Sequence, residues 1–388
     1  MNRVWKGLLG IAVATAATVA LIPGVAGAAV QQGWWSTEGY SVTNSGYNPN
    51  EPTLTMAQVP NLKLQRTTSP YQGSQGAPVL DKGRVFVYSA DAVTAYDEVT
   101  GDQLWRHEQP TGAWSNQDGR MVVTGGKLVV AWNYGSPPNG GDYLEILDAV
   151  TGDVLVAPKF TAGSVRTLLV DKGVIVVSGE SRYYPDTAAY SLSDGTQLWT
   201  SAYYLDQPAS ANGRILVEGF SPEGTGQFSK ILDILTGNEL FSVQYAEYKV
   251  MAASSDGTKF YLAWGHSLQV LDATTGKLTW MASYVYPQYA ALSPTRLYVS
   301  TTDHKMIAVN LSDNSVAWTK PYSTDLLRPI VSGGVLYVTA YNSQLYALNP
   351  VDGSSLKTPA FTAPVYPPVV TGARVYLTDG AKMSIYGL

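Results

Sequence analysis

Cysteine is absent from all 388 residues. The chain therefore forms no disulfide framework, ligates no metal through thiolate, and offers no thiol for a haem or lipid anchor. Charge is scarce too: 14% of residues are Asp, Glu, Lys or Arg, against about 25% in an average soluble domain. With 25 basic and 30 acidic residues, a net charge of -5 and no basic run beyond the first residues, nothing provides an electrostatic footprint for nucleic acid or anionic lipid. Neither is expected as a partner. Histidine occurs only at His107, His266 and His304, in differing contexts, so no shared metal site is expected. No GxSxG elbow and no GxxxxGK phosphate loop occurs, which removes two common catalytic devices. No catalytic residue is assigned.

What is abundant points to β-structure. Gly 37, Pro 22 and Tyr 26 supply turns and half-buried pleated surfaces. At the N-terminus Arg3 and Lys6 precede an uncharged apolar run from Leu8 to Ile22, then Pro23-Gly24 and the small-x-small pattern Ala26-Gly27-Ala28. Residues 1–28 read as a signal peptide, so the mature chain is expected outside the cell or at its wall, without stable membrane insertion. The alternative is a retained anchor, since apolar and small residues continue to Val30. A lead-in at 29–60 precedes a repeat domain at 61–388. Without disulfides, that domain must hold together by core and topology.

One unit recurs along the chain: a short apolar strand, a Gly turn, a second strand, a third strand ending in Asp or Asn, another Gly turn, and a last strand ending in an aromatic. The first copy is PVLDKGRVFVYSADAVTAYDEVTGDQLW, from Pro78 to Trp105. The turn residues Gly101, Gly152, Gly195, Gly237, Gly276, Asn314 and Gly353 lie 38 to 51 residues apart, the period of a four-stranded propeller blade. An eighth copy starts at Pro368 but ends before its fourth strand. Residues Asn61 to Arg66 resemble that missing strand, and pairing the two would close the ring and cover its edges. The expected fold is an all-β, eight-bladed propeller of four-stranded antiparallel blades. The turn acids Asp97, Asp148, Asp233 and Asp272 are expected to bond their own backbone. Trp105, Trp199, Trp280 and Trp318 share one slot and are expected to dock neighbouring blades.

The repeat ending resembles the quinoprotein-type, or pyrroloquinoline-quinone-like, repeat. So does the opening Trp34-Trp35-Ser36-Thr37-Glu38-Gly39, with Asn44 to Pro49 and Leu62-Lys63-Leu64. The resemblance implies tryptophans that knit the blades. It covers two functional classes: calcium-dependent quinone dehydrogenases, and binding proteins that share only the fold. The adjacent-cysteine disulfide of many such enzymes has no counterpart here, and no calcium ligand or catalytic Asp of theirs maps onto this sequence.

Links between blades share a face with the second-to-third-strand turns, around the channel mouth. The candidate ligand-binding residues on them are Tyr71, Trp114, Tyr203, Tyr204, Tyr248, Tyr286, Tyr322 and Tyr366; Tyr245, Tyr284, Tyr289, Asp91, Trp132, Tyr134, Tyr183, Tyr184, His304 and Tyr341 occupy the same face. Rigid aromatics with polar tips suit flat ligands or partners. Packing between blades is the competing role. The expected function is thus an exported, monomeric, non-enzymatic binding or scaffold protein, without cofactor, for a partner protein or a cell-envelope glycan. The alternative is a divergent dehydrogenase using pyrroloquinoline quinone and calcium on an alcohol or sugar. Asp91 and Asp303 meeting across the ring would favour it.

Overall fold

Alternation along each repeat sets how its strands are buried. In the second strand of the first unit, Arg84–Tyr88, the four residues after Arg84 are all buried, because both faces pack against neighbouring sheets. The outer strand Gln103–Glu108 is buried only in part. The computed structural model describes residues 33–388 except 69–75, 90, 111–119, 133–142, 161–163, 181–184, 221–226, 244–248 and 284. The expected signal peptide at 1–28 lies outside the described residues.

The strands form eight separate four-stranded sheets, the blades of a propeller. Blade 1 runs outward through Val79–Asp81, Arg84–Tyr88, Ala92–Asp97 and Gln103–Glu108. Blades 2 to 6 repeat it over 120–156, 164–201, 210–243, 249–283 and 287–321, blade 7 begins at Ile330, and blade 8 at Val369. Lys63–Thr68 completes blade 8, pairing antiparallel with Met383–Gly387 from Lys63 opposite Gly387 to Thr68 opposite Met383. The ring closes as the sequence suggested. No helix among the described residues is long and apolar enough to cross a membrane.

The turn acids do what their chemistry allows. Asp97 Oδ1 accepts from the backbone N–H of Val99 and Thr100 at 2.8 and 2.7 Å, and Asp148, Asp233 and Asp272 repeat the pattern. These bonds hold the Asp97 carboxyl below its ordinary range. The turn glycines have a second duty. Trp105 of blade 1 donates Nε1–H to the Ala149 carbonyl of blade 2 at 3.3 Å, and its ring lies where a Gly152 side chain would begin. Trp199 over Gly237 and Trp318 over Gly353 do the same, with Phe241 taking the slot over Gly276. Closure reuses it: Arg66 covers Gly101 and bonds the Val99 carbonyl.

Gly152→Ala is therefore expected to lower stability by about 1–3 kcal/mol, through its φ of +79° and a Cβ only 2.7 Å from the Trp105 ring. Gly125→Ala, at φ +57° with nothing within 4 Å, carries the conformational cost alone. Urea midpoints of the two variants separate the terms; equal losses would remove the docking contribution.

Two features depart from the repeat. In blade 7 the expected outer strand shrinks to one bridge, Leu348 to Ser355, and the fourth strand is instead Tyr47–Asn48, parallel to Ile330–Ser332 on the inner edge. Residues 35–48 then follow the ring from inside. Lead-in carbonyls of Trp35, Ser36, Val42, Thr43, Ser45 and Gly46 accept, in order, from Leu80, Val123, Ser210, Ala253, Leu292 and Val331, at 2.7–3.0 Å. Asn48 Nδ2 then donates to the Val370 carbonyl at 2.9 Å. Seven blades are visited in ring order. Each bonded residue stands at the end of its inner strand, just before the first turn, so the lead-in crosses the channel at the face of those turns.

Candidate functional site

Because the lead-in crosses that end, the channel opens as a cavity toward the opposite face, where the inter-blade links lie. Its volume is about 390 Å³, within the range of small-molecule sites. Thr37, Glu38 and Asn44 of the lead-in form the floor, while Arg120, Arg166, Asp206, Gln207, Tyr289, Arg328, Tyr341 and Tyr366 are among the wall residues. A wider hollow of about 740 Å³ lies by the first turn of blade 6. Its one cation, Arg296, is occupied by Asn310 Oδ1 and the Pro350 and Val351 carbonyls, so the channel cavity is the stronger candidate.

Cations mark that cavity. Arg328 is only 8% exposed, yet its guanidinium donates to the Asn44 and Met251 carbonyls at 3.2 and 3.5 Å and to Gln207 Oε1 at 3.2 Å. Lys249 stands beside it, its ammonium 4.7 Å from the centroid of the Tyr289 ring, with Arg328 Cζ 6.0 Å from the same centroid. Neither cation takes part in an ion pair among the described residues. Asp206 and Glu38 act on them only from longer range. Burial pushes the Lys249 ammonium down, Arg328 adds to this and Asp206 opposes it; burial likewise pushes the Tyr289 hydroxyl up. Asn44, 1% exposed, has an amide nitrogen with no hydrogen-bond partner. Its φ of +51° is tolerated because Asn visits the left-handed region.

Of the residues singled out from sequence, Tyr289, Tyr341 and Tyr366 line the cavity. Tyr203 packs edge-on to Phe228, 5.5 Å away, under the Lys230 ammonium. Tyr204 donates to Glu218 Oε2 at 3.1 Å. Tyr322 stacks edge-on with Tyr346 at 5.1 Å, and burial pushes its hydroxyl far up. Tyr286 sits on the rim with its ring 4.2 Å from His266. Tyr71, Trp114 and Tyr248 lie outside the described residues. Asp91 and Asp303 are each held within their own blade, by Arg106 at 2.5 Å and Lys305 at 2.6 Å. His107 bonds Glu145 at 2.9 Å, and the buried Glu145 also accepts from Trp132 at 2.6 Å; His304 pairs with Asp325 at 2.8 Å. Arg328, Lys249, Asn44 and the rim residue Trp264 were not anticipated. A lone cation in the apolar run Leu326-Leu327-Arg328-Pro329-Ile330 was the available signal.

The sequence profile of the PQQ-repeat family described as outer membrane protein assembly factor BamB matches residues 64–137 and 264–356. Over those residues the chain carries repeats of the PQQ-like type, and its fold is the β-propeller. No curated protein matches it. BamB from Moraxella catarrhalis is 17% identical, with a TM-score of 0.61 over 84% of this chain and 98% of that one. Quinohemoprotein alcohol dehydrogenase from Comamonas testosteroni is 14% identical, with 0.68 over 93% and 81%. A europium-containing methanol dehydrogenase is 13% identical, with 0.67 over 92% and 98%. At such identities the likeness carries the fold alone.

Calcium with a quinone would need several oxygen ligands converging on the cation. Glu38, Asp206, Asn44 and Gln207 line the cavity, but Gln207 Oε1 already accepts from Arg328, and the Arg120 and Arg328 guanidinium groups repel a second cation. Among the described residues no three His, Asp or Glu side chains gather as a metal site. These residues do not fit a calcium-held quinone.

Proposed function

We propose that this PQQ-like propeller is an exported, non-enzymatic binding protein that takes a cell-envelope glycan across its channel mouth. The observation that carries the reading is an arc of exposed aromatics on the open face. Trp264, Tyr286 and Tyr341 are 41%, 39% and 57% exposed. They lie on blade 5, on the link to blade 6 and on blade 7, beside a cavity floored by the lead-in. Sugar rings present flat apolar faces edged with hydroxyls, which such rings and their polar neighbours complement. Asp91 and Asp303, whose meeting would favour a dehydrogenase, are each held by a cation of their own blade instead.

Trp264→Ala and Tyr341→Ala are each expected to weaken binding of soluble cell-wall oligosaccharides about tenfold, as removal of an aromatic anchor does. Exposed residues contribute little packing, so the melting temperature should hold. Isothermal titration of the mature chain reads the affinity, and a thermal melt reads the stability. Unchanged affinity in both variants removes the rim from the reading. A melting temperature raised by pyrroloquinoline quinone with calcium, together with dye reduction on an alcohol or sugar, would replace it with the dehydrogenase; capture of a protein through the same aromatics would replace glycan with partner.

A further inference from the structure

The same mouth holds a feature that a neutral sugar does not explain. Arg328 is almost wholly withdrawn from water, and its hydrogen-bond partners are two backbone carbonyls and an amide, all neutral. A buried charge without a counter-charge is unfavourable, and a hydrophobic residue of similar size often serves a fold equally well. Lys249, from blade 5, adds a second cation beside the same Tyr289 ring, and neither cation has a paired carboxylate among the described residues. Asn44 brings a buried amide nitrogen with no acceptor to the cavity floor. Asn44 of the lead-in and Arg328 of the link into blade 7 line one small space, Lys249 of blade 5 stands behind it against the Tyr289 ring, and none of the three meets an oxyanion there.

We infer that the ligand of the channel mouth is an acidic saccharide whose carboxylate or phosphate group is held by Arg328 and Lys249, with the Asn44 amide donating to it. This rests on the glycan reading and narrows it. Both cations stand close to the Tyr289 ring, which lines the cavity and offers an aromatic contact to the sugar while the cations take the charge. Glu38 and Asp206, on the floor and wall, set the opposite limit: a cationic or multiply aminated sugar would meet Arg328 and Lys249, whereas a singly acidic one leaves both carboxylates free to accept sugar hydroxyls.

The test titrates the full mature chain with glucose, glucuronate, glucose 6-phosphate and inorganic phosphate, at low and at high salt, alongside Lys249→Met and Arg328→Met. At least one acidic sugar should bind about tenfold or more tightly than glucose, the preference shrinking as salt rises. Lys249→Met should bring that acid to the level of glucose with the melting temperature unchanged; its stem volume is kept. Arg328→Met should do likewise, and because Arg328 also bonds Asn44, Met251 and Gln207, the Lys249 variant decides if the Arg328 one fails to fold. Acids binding no better than glucose, or a preference that survives Lys249→Met, overturn the inference and leave the glycan reading standing. Inorganic phosphate binding as tightly as the sugar phosphate does the reverse, keeping the anion site and removing the sugar. Failure of all four probes to bind overturns both.

Discussion

Glu98→Ala is expected to cost the folded protein about 3–5 kcal/mol, because it removes one partner from a buried charged network and leaves the others without compensation. Glu98, directly after the third strand of blade 1, is buried at 1% exposure. Its carboxylate accepts from the Gly33 N–H at 3.0 and 2.9 Å, from the Tyr376 hydroxyl at 3.0 Å and from Arg374 Nη1 at 3.2 Å. One side chain thereby ties the first blade to the last and to the start of the lead-in. Without it, Arg374 keeps the nearby Gly372 carbonyl but loses its carboxylate, and a loss of that size is a large share of a typical folding free energy of about 5–15 kcal/mol. Urea unfolding of wild type and variant measures it; a loss below about 1 kcal/mol would mean that water replaces the carboxylate without penalty.

The same carboxyl has a pH signature. Burial pushes it above the ordinary Glu range, against the opposing pull of Gly33, Tyr376 and Arg374. A raised acid binds its proton more readily in the folded than in the unfolded chain. Its contribution to stability is thus fully present below the unfolded pKa and is lost as pH rises through the folded one. The turn acids Asp97, Asp272 and Asp313 are held low by their hydrogen bonds, and their contribution is lost instead as pH falls, but they are common to any pair of variants. Subtracting the stability of Glu98→Gln from that of wild type at stepped pH isolates Glu98. That difference should decline with rising pH across the window above the ordinary Glu value; a rising difference would show that the hydrogen bonds outweigh burial.

Repetition made most of this molecule legible. The Asp-x-x-x-Gly turns and the aromatic after them recur in register, and each recurrence marks a place where one blade's outer strand meets the next blade's turn. The sequence pattern suggested positive φ for the glycines; the missing Cβ that admits Trp105, Trp199 and Trp318 is a second constraint on the same residue, hidden because both select Gly. Blade closure was legible for the same reason, since Lys63–Thr68 fills a vacant slot in a known frame. What lay outside the frame was harder to see. The lead-in binds seven blades mainly through backbone carbonyls, which any sequence possesses, and blade 7 exchanges its outer strand for an inner one. Recurrent tyrosines divide between two roles: Tyr203, Tyr204 and Tyr322 make contacts within the repeat, whereas Tyr289, Tyr341 and Tyr366 line the cavity. Arg328, Lys249 and Asn44 stand at positions the repeat does not share, and only folding brings Arg328 and Asn44 to one cavity and Lys249 beside its Tyr289 wall.

Trp35→Ala should show how far the lead-in belongs to the fold, with an expected loss of about 3–5 kcal/mol, the usual cost of truncating a buried large aromatic. Trp35 is fully buried and packs edge-on to Tyr40 at 5.2 Å. Together with Leu54, Val59 and Leu62 it enters the same apolar cluster as Leu80 of blade 1, Tyr337 of blade 7 and Tyr376 of blade 8. Its backbone exchanges two hydrogen bonds with Leu80, at 2.9 and 2.8 Å, so truncation loosens the point where the lead-in enters the channel. The loss should appear in a single cooperative unfolding transition if the lead-in folds with the ring. An early separate transition would instead make it an appendage. The two outcomes also differ at the mouth. Thr37, Glu38 and Asn44 form the floor of the cavity, two to nine residues beyond Trp35, so a lead-in that folds with the ring couples ligand affinity to Trp35. Saccharide binding by Trp35→Ala, measured at a temperature where the variant remains folded, should then be weaker than wild type, whereas affinity equal to wild type would show that the floor holds its shape without this anchor.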